Sequence, residues 1–227
     1  MKKIFLSLFL VLGSLFLASC DKSKDTPKIS TPEVSIDATD FSKWVYFSLE
    51  QGKVVEVSDP ENSLDWDLGF HFTDIRTNGG ASGRGQGAAT ETTLSEVTDR
   101  LSDVPPTDKF KVDTKTYIIT QTHNEEGKHE IKRAEAGVNP ILTTIQTERL
   151  DSDGKPMRGP NNTPIFDKTH RGAIDFSHGP GGAQFKLSNK VYLVRMARGK
   201  FAKIKVIDYR DAHDKSVHVK MQYSVIP

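Results

Sequence analysis

Hydrophobic and polar residues alternate in two parts of the chain with the two-residue period of a β-strand. Every second residue is apolar from Leu64 to Phe72, and the same pattern returns from Val217 to Val225. Successive side chains of a strand point to opposite faces, so each stretch predicts a strand with one buried face. The pattern assigns His71 and His218 to the polar faces, away from the core.

Further strands are predicted where β-branched and aromatic residues cluster between glycine, proline or charged residues. These stretches are Trp44–Leu49, Val54–Val57, Tyr117–Thr122, Val191–Arg195 and Ala202–Tyr209. Helical spacing of apolar residues occurs at Thr92–Leu101, which predicts one short helix, although its threonines are poor helix formers. Short strands separated by turns predict an all-β fold with a single antiparallel domain related to β-sandwiches.

Two segments between the predicted strands stand out by composition. Residues 78–88 include five glycines, which predicts a loop that turns tightly or packs closely against another surface. Residues 149–170 are polar and rich in turn residues, which predicts a long structureless loop of the kind that is often functional.

The N-terminus has the pattern of a lipoprotein signal peptide, predicted at residues 1–19. Lys2 and Lys3 precede an apolar run, and the sequence Leu-Ala-Ser-Cys that ends at Cys20 resembles a bacterial lipobox. The apolar run is shorter than the roughly 20 residues of a transmembrane helix. Cys20 is the single cysteine; we predict that it is lipidated and that the mature chain has no internal disulfide.

After the signal peptide, the sequence predicts a tether and one domain. Residues 20–34 are polar and charged and include two prolines, as in a flexible tether. Residues 35–227 are enough for one domain with a substantial core. The formal net charge is only +1, so the basic surface expected of a protein that binds nucleic acid is missing.

Motifs of the common enzyme classes are missing from the sequence. There is no Gly-x-Ser-x-Gly elbow, no His-Glu-x-x-His pair and no cysteine nucleophile besides Cys20. The glycine-rich segment has alanine at the last position of a dinucleotide fingerprint and no Walker lysine after it. We therefore predict that the protein is not an enzyme.

The histidines are the remaining candidates for chemistry. His178 is followed at once by Gly-Pro-Gly-Gly, so little side-chain bulk surrounds its ring and a large flat ligand could approach it. A histidine in such a turn more commonly bonds only to the backbone. His123 and His129 flank a predicted hairpin turn at residues 124–128. One interpretation is that His129 is a solvated residue of this hairpin. Another is a zinc site formed by both histidines and a carboxylate.

Several segments in order resemble the HmuY-like haem-binding lipoproteins of Gram-negative bacteria. The resemblance covers about Ile36 to Pro227, behind the lipobox, and none of its segments is specific alone. They are Trp44–Ser48, Gly52–Val57, Asp65–Asp67, Gly83–Gly87, Gly127–Gly137, Ile174–Ala183 and Val191–Ile204.

The resemblance implies that His129 and His178 are the two axial ligands of haem iron. They would lie on separate elements that approach the porphyrin from opposite faces. His123 and His170 are possible substitutes. Some relatives use methionine, which makes Met157, within a stretch longer than in the best-known member, a rival ligand.

The resemblance further implies a haemophore that is anchored by lipid in the outer membrane, at the cell surface, with release into the medium left open. It would take haem from host haemoproteins and pass it to a TonB-dependent outer-membrane receptor. Whether the chain forms a homo-oligomer is also left open. The alternative is a surface lipoprotein whose all-β domain binds carbohydrate or another protein. Both tryptophans fall in predicted strands, which disfavours a sugar-stacking platform.

Overall fold

The computed structural model describes residues 31–123, 129–159, 165–179, 182–210 and 216–227, with the side chains of 121–132, 178–183 and 216 left out. Residues 31–227 form one compact unit. The predicted signal peptide, Cys20 and most of the predicted tether lie outside the described residues. Strand β1 begins at Glu33, inside the predicted tether. None of the described residues belongs to a helix long and apolar enough to span a membrane.

The described chain is all-β, as predicted, apart from a turn of 3-10 helix at Thr107–Lys109. A five-stranded antiparallel sheet has the order β1 (Glu33–Asp37), β15 (Ser216–Ile226), β14 (Phe201–Arg210), β13 (Tyr192–Arg195) and β6 (Ala88–Glu91). A four-stranded antiparallel sheet has the order β3 (Lys53–Val55), β2 (Val45–Ser48), β4 (Leu68–His71) and β5 (Asp74–Thr77).

Three antiparallel pairs complete the described architecture. They are β7 (Thr114–His123) with β8 (His129–Val138), β9 (Ile145–Glu148) with β10 (Phe166–His170), and β11 (Ile174–Gly179) with β12 (Gly182–Leu187). One hydrophobic cluster joins residues of the two larger sheets, as in a sandwich. Its fully buried side chains include Phe47, Leu68, Phe70, Ile75, Tyr192, Val194, Ile204 and Met221.

All seven stretches predicted as strands contain strands, but the polar-face assignment of His71 is wrong. The His71 side chain is 2% exposed. Its ring packs against Trp44, with centroids 5.2 Å apart, and Nε2 lies 2.9 Å from the Phe41 carbonyl oxygen, to which it can donate. The chain that leads into β2 covers this face of the sheet, and alternation within one strand does not reveal such a cover.

His218 is also less exposed than predicted. Its side chain is 17% exposed, and Nε2 lies 3.7 Å from Asp37 Oδ1 on the neighbouring strand β1. The antiparallel register pairs these two residues directly. Edge strand β1 therefore shields a position that the sequence pattern assigned to solvent.

The helix predicted at 92–101 is wrong, because this segment forms turns. The Asp99 carboxylate accepts hydrogen bonds from the backbone N–H groups of Ser95 and Glu96, at 2.9 and 2.8 Å. Such side-chain bonds to the backbone compete with helix formation where propensity is low.

The segment 149–170, predicted as a structureless loop, instead contains strand β10, and backbone hydrogen bonds continue the β9–β10 pairing into residues 149–165. Arg149 N–H donates to Ile165 O at 2.8 Å, and Met157 N–H donates to Arg149 O at 2.7 Å. The ladder was missed because its strands lack alternating hydrophobicity. We call residues 149–165 the β9–β10 arm; residues 160–164 lie outside its described part.

The glycine-rich loop packs closely, as predicted, around the buried side chain of Asn78. Its amide donates to the carbonyls of Ser63 and Trp66, both at 2.9 Å, and accepts from Gly85 N–H at 3.1 Å. A Cβ at Gly87 would lie 2.4 to 2.5 Å from backbone atoms of Asn78. The glycines therefore allow contact between backbone segments.

Candidate functional site

The two histidines predicted as ligands, His129 and His178, lie in two β-hairpins, near the turns. His129 is the first residue of β8 and pairs with His123 at the end of β7. His178 pairs with Ala183, one step before the last described pair, Gly179 and Gly182. The side chains of His123, His129 and His178 and the predicted turn at 124–128 lie outside the described residues.

A narrow cleft lies between these hairpins. Strands β7 and β8 contribute Tyr117, Ile119 and Arg133 to its lining, and β11 contributes Phe176. Its volume is about 40 Å³. Arg133 follows His129 by four residues in β8, and Phe176 precedes His178 by two residues in β11. Both predicted ligand segments therefore border the same cleft.

An aromatic cluster, which the sequence did not predict, attaches the β11–β12 hairpin to the larger sheets. Its members are Phe41, Phe72, Phe176, Phe185 and Tyr209. Phe72 packs against Phe176 and Phe185, with ring centroids 5.1 and 5.8 Å apart. Phe185 stacks on Tyr209 at 4.1 Å. The sequence signal that could have predicted this cluster was the pair of Phe176 and Phe185, which face each other across the hairpin, since facing aromatic residues stabilise hairpins.

The charged groups of the cleft are Asp74 and Arg133. Burial raises the pKa of Asp74, and this effect is opposed by His71, whose Nδ1 lies 3.9 Å from Asp74 Oδ2. The Arg133 guanidinium lies 3.6 Å from the centre of the Phe166 ring. Burial lowers the pKa of Arg133, against the opposing effect of Glu148 and Asp74. The cleft thus combines aromatic walls with the cation of Arg133, a residue that is exposed to solvent.

A buried polar network holds the base of the β7–β8 hairpin. Asp113, just before β7, accepts hydrogen bonds from Thr77 N–H at 2.8 Å and from Thr77 Oγ1 at 2.6 Å. Asn139, just after β8, donates to Asp113 Oδ1 at 3.0 Å. Burial raises the pKa of Asp113 to about 6, although these hydrogen bonds oppose the shift.

The raised pKa predicts a pH-dependent contribution of Asp113 to stability. An unfolded aspartate titrates near 3.8, so between about pH 4 and 6 the folded protein holds a proton that the unfolded chain has lost. This contribution to stability is present below the unfolded pKa and is lost as pH rises through the folded pKa. The loss should be on the order of 3 kcal/mol.

The measurement is the free energy of unfolding of wild type and Asp113→Asn at pH 4 and pH 7. The asparagine variant lacks the titrating group, so the difference between the two proteins should change with pH by roughly the predicted loss. Parallel pH curves for the two proteins would contradict the raised pKa.

The rival ligands occupy other places in the fold. His170 Nε2 lies 3.0 Å from the Ile141 carbonyl oxygen, to which it can donate. Met157 is 36% exposed on the arm that extends β9 and β10. Within the described part of the chain, no group of three histidine, cysteine or acidic residues could hold a metal ion. A zinc site was suggested for His123 and His129, whose side chains lie outside the described residues.

Solved structures share the fold. The chain is similar to an apo HmuY analogue of Tannerella forsythia, with TM-score 0.53, 22% identity and coverage of 87% of this chain and 96% of that one. It is similar to apo PinO of Porphyromonas gingivitis, with TM-score 0.54, 18% identity and coverage of 87% and 98%. A protein of Bacteroides vulgatus, named as a candidate HmuY-like haem-binding protein, gives TM-score 0.52 and 20% identity, with coverage of 84% and 89%.

Sequence comparison identifies the family. No curated protein gives a significant match. The model of the HmuY protein family matches residues 40–223, which are most of the chain and all but the ends of its folded part. The match includes both hairpins and the cleft between them. This protein therefore belongs to the HmuY family.

Proposed function

We propose that the protein binds haem between the β7–β8 and β11–β12 hairpins, with His129 and His178 as axial ligands to the iron. The observation that carries the proposal is the shared cleft, which the two histidine-bearing hairpins border together. The name of the Bacteroides vulgatus relative, which refers to haem binding, supports the same ligand.

Strand register supports the choice of these two positions. Residues an even number apart share one face of a strand, and His129 and Arg133 are four apart while Phe176 and His178 are two apart. Arg133 and Phe176 both line the cleft, to which strand β7 contributes consecutive residues from both of its faces. We therefore expect positions 129 and 178 to belong to the faces that border it, and two neutral imidazoles are suitable axial donors to haem iron.

The residues of the cleft suit a porphyrin. Phe72, Ile119 and Phe176 offer apolar contacts, and Tyr117 is 65% exposed at the hairpin that borders the cleft. Pockets for small organic ligands combine such walls with a few polar groups. Bound haem would bring iron that accepts two axial nitrogen ligands, and the chain would supply the imidazoles and the apolar walls.

Haem cannot enter the cleft as it stands, because pockets for ligands of this size have volumes of about 300 Å³ or more and this one has about 40 Å³. We propose that binding separates the hairpins. Both hairpins are two-stranded sheets within the described residues, but the aromatic cluster packs the β11–β12 hairpin against the larger sheets. The β7–β8 pair is therefore the more suitable mover. The Thr120 hydroxyl of β7 donates a hydrogen bond of 2.7 Å to the Phe41 carbonyl oxygen, which holds the β7–β8 pair in its present position.

In the proposed role, the protein is a non-enzymatic haemophore of the outer membrane. It takes haem from host haemoproteins and delivers it to a TonB-dependent receptor. Axial ligation by side chains, without a covalent link to the porphyrin, suits a carrier that must release its cargo. The predicted lipid at Cys20 would keep the carrier beside the receptor.

The alternative of a carbohydrate-binding lipoprotein is disfavoured by the tryptophans. Trp44 lies between His71, at 5.2 Å, and the Arg76 guanidinium, at 4.0 Å. Trp66 is fully buried. The Trp66 indole therefore offers no face on which a sugar could stack, and the half-buried Trp44 indole already contacts two side chains.

Adding haemin to the purified apoprotein tests the proposal. Binding should give a sharpened and shifted Soret band that saturates at one haem per chain, with the spectrum of six-coordinate low-spin iron. A haemin spectrum that stays that of free haemin over the whole titration would overturn it.

Lipid anchoring predicts the behaviour of a Cys20→Ala variant. Since Cys20 is the only thiol available for a thioether to diacylglycerol, the variant should move from the membrane fraction to the soluble fraction. Haemin binding by the folded domain should be unchanged. Detergent partitioning measures the first effect, and unchanged membrane association of the variant would refute the lipoprotein assignment.

A further inference from the structure

Arg133 in the cleft has no hydrogen-bonding partner for its side chain among the described residues. Among the residues that the structure describes, none forms a hydrogen bond or an ion pair with its guanidinium. An arginine has five N–H donors in a planar fork, and all of them remain available. The residue is exposed beside the cleft, so water reaches these donors and a ligand could replace it.

The nearest carboxylates have other partners. Glu148 Oε1 forms an ion pair with Arg158 at 3.1 Å, and Asp74 faces His71, with 3.9 Å between Asp74 Oδ2 and His71 Nδ1. Both act on Arg133 only at longer range. Among the acids that the structure describes, none is therefore a direct counter-ion of the guanidinium.

Contact with Phe166 fixes the position of the guanidinium. The Arg133 group lies 3.6 Å from the centre of this ring, a cation–π contact that orients the plane without using its in-plane donors. Strand pairing with Ile119, which also lines the cleft, holds the Arg133 backbone. An oriented fork with free donors matches a carboxylate, which it can bind through two parallel hydrogen bonds.

We propose that Arg133 binds a propionate carboxylate of the porphyrin, so that the site selects porphyrins with free carboxylate groups. This inference rests on the proposed haem site and adds a group that the ligand must have. It assigns Arg133 to ligand selection, whereas the histidines hold the metal. Tyr117, exposed at the same hairpin, would cover the macrocycle beside the carboxylate.

The test compares haemin with haemin dimethyl ester, in which both propionates are esterified, in the same detergent-containing buffer. Wild type should bind haemin roughly tenfold more tightly than the ester, as expected for loss of one charged hydrogen-bonding interaction. Arg133→Ala should lose this preference and bind haemin about as weakly as wild type binds the ester. Its Soret band should keep the wild-type position, because the axial ligands are unchanged.

Two further variants serve as controls for the Arg133→Ala variant. Arg133→Lys keeps the charge without the planar fork, so it should retain only part of the preference. Lys115→Ala removes an exposed cation of the same hairpin whose Nζ pairs with Glu135 at 3.1 Å, and it should retain the whole preference. Far-ultraviolet circular dichroism of each variant should match that of wild type.

The outcomes separate this inference from the proposed function. If Arg133→Ala binds haemin with unchanged preference over the ester, or loses affinity equally for both ligands, the propionate assignment is wrong while haem binding stands. If wild type binds neither ligand, the proposed function fails and the inference fails with it.

Discussion

Replacing both His129 and His178 by alanine is expected to abolish specific haemin binding. Without an imidazole on either side, the cleft offers aromatic contacts and Arg133 but no ligand that fixes the iron. Loss of a mere supporting group at a metal site costs roughly 10- to 100-fold in affinity, and loss of two direct ligands should cost more. The low-spin Soret spectrum should disappear in a titration of the double variant.

Each single replacement should have a smaller and different effect. His178→Ala or His129→Ala leaves one imidazole on the iron, so affinity should fall without vanishing and the spectrum should gain high-spin character. A double variant that keeps the wild-type low-spin spectrum would show that the ligands lie elsewhere in the chain.

Matched controls come from the rival ligands. His170 bonds to the Ile141 carbonyl and Met157 lies on the β9–β10 arm, so His170→Ala and Met157→Ala should each leave the haem spectrum unchanged. His123 pairs with His129 in the hairpin but is not a proposed ligand, so His123→Ala should leave the spectrum unchanged as well. A shifted band for Met157→Ala would indicate mixed histidine and methionine ligation. Such a site should also have a higher reduction potential.

Acidification should weaken haem retention in wild type. Histidine must be neutral to ligate a metal, and an unperturbed imidazole gains its proton below about pH 6.5. Haem affinity should therefore weaken as the pH decreases below this value, because protons compete with iron for each imidazole. Measuring haem release to a competing acceptor at neutral and mildly acidic pH checks the direction.

Sequence patterns predicted the strands better than their surroundings. Alternation found β4 and β15 because one face of each is buried in the core. It failed for His71 because the cover comes from Phe41 and Trp44, about thirty residues earlier. A two-residue period carries no information about what another segment places over the outer face.

The cleft could be predicted only in part. The resemblance suggested the two histidine segments, but Tyr117, Arg133 and Phe176 come from three different strands and have no motif. Only hairpin register and the packing of Phe72 against Phe176 bring these residues together. Arg133 was missed because its distinguishing properties are its place in the cleft and the lack of a partner among the described side chains, which only a three-dimensional structure reveals.

Contact with the glycine-rich loop explains why glycine stands at position 137. Gly137 is the last residue but one of strand β8, which begins at His129. A Cβ there would lie 2.4 Å from Ser82 Oγ and 2.6 Å from the Ala81 carbonyl oxygen. Both belong to the glycine-rich loop, so this loop supports the base of the β7–β8 hairpin. The next residues, Val138 and Asn139, are fully buried.

Gly137→Ala should therefore destabilise the fold and weaken haem binding. Glycine inside a strand is normally unfavourable, and at an open position its replacement would stabilise. Here the backbone of the loop must move, and overpacking of this kind costs about 1–3 kcal/mol. For a domain of this size, the midpoint of thermal unfolding should fall by roughly 2–4 °C for each kcal/mol.

Haem affinity should fall with it, because the displaced strand leads from the buried base to His129. Gly154→Asn is the matched control: nothing lies within 4 Å of its Cβ position, and its φ of +75° is one that asparagine tolerates. This control should leave both unfolding and haem binding nearly unchanged. If Gly137→Ala is as stable as wild type, the loop does not hold the hairpin. If it is destabilised but binds haemin with wild-type affinity at a temperature where it is folded, the loop supports the fold without positioning His129.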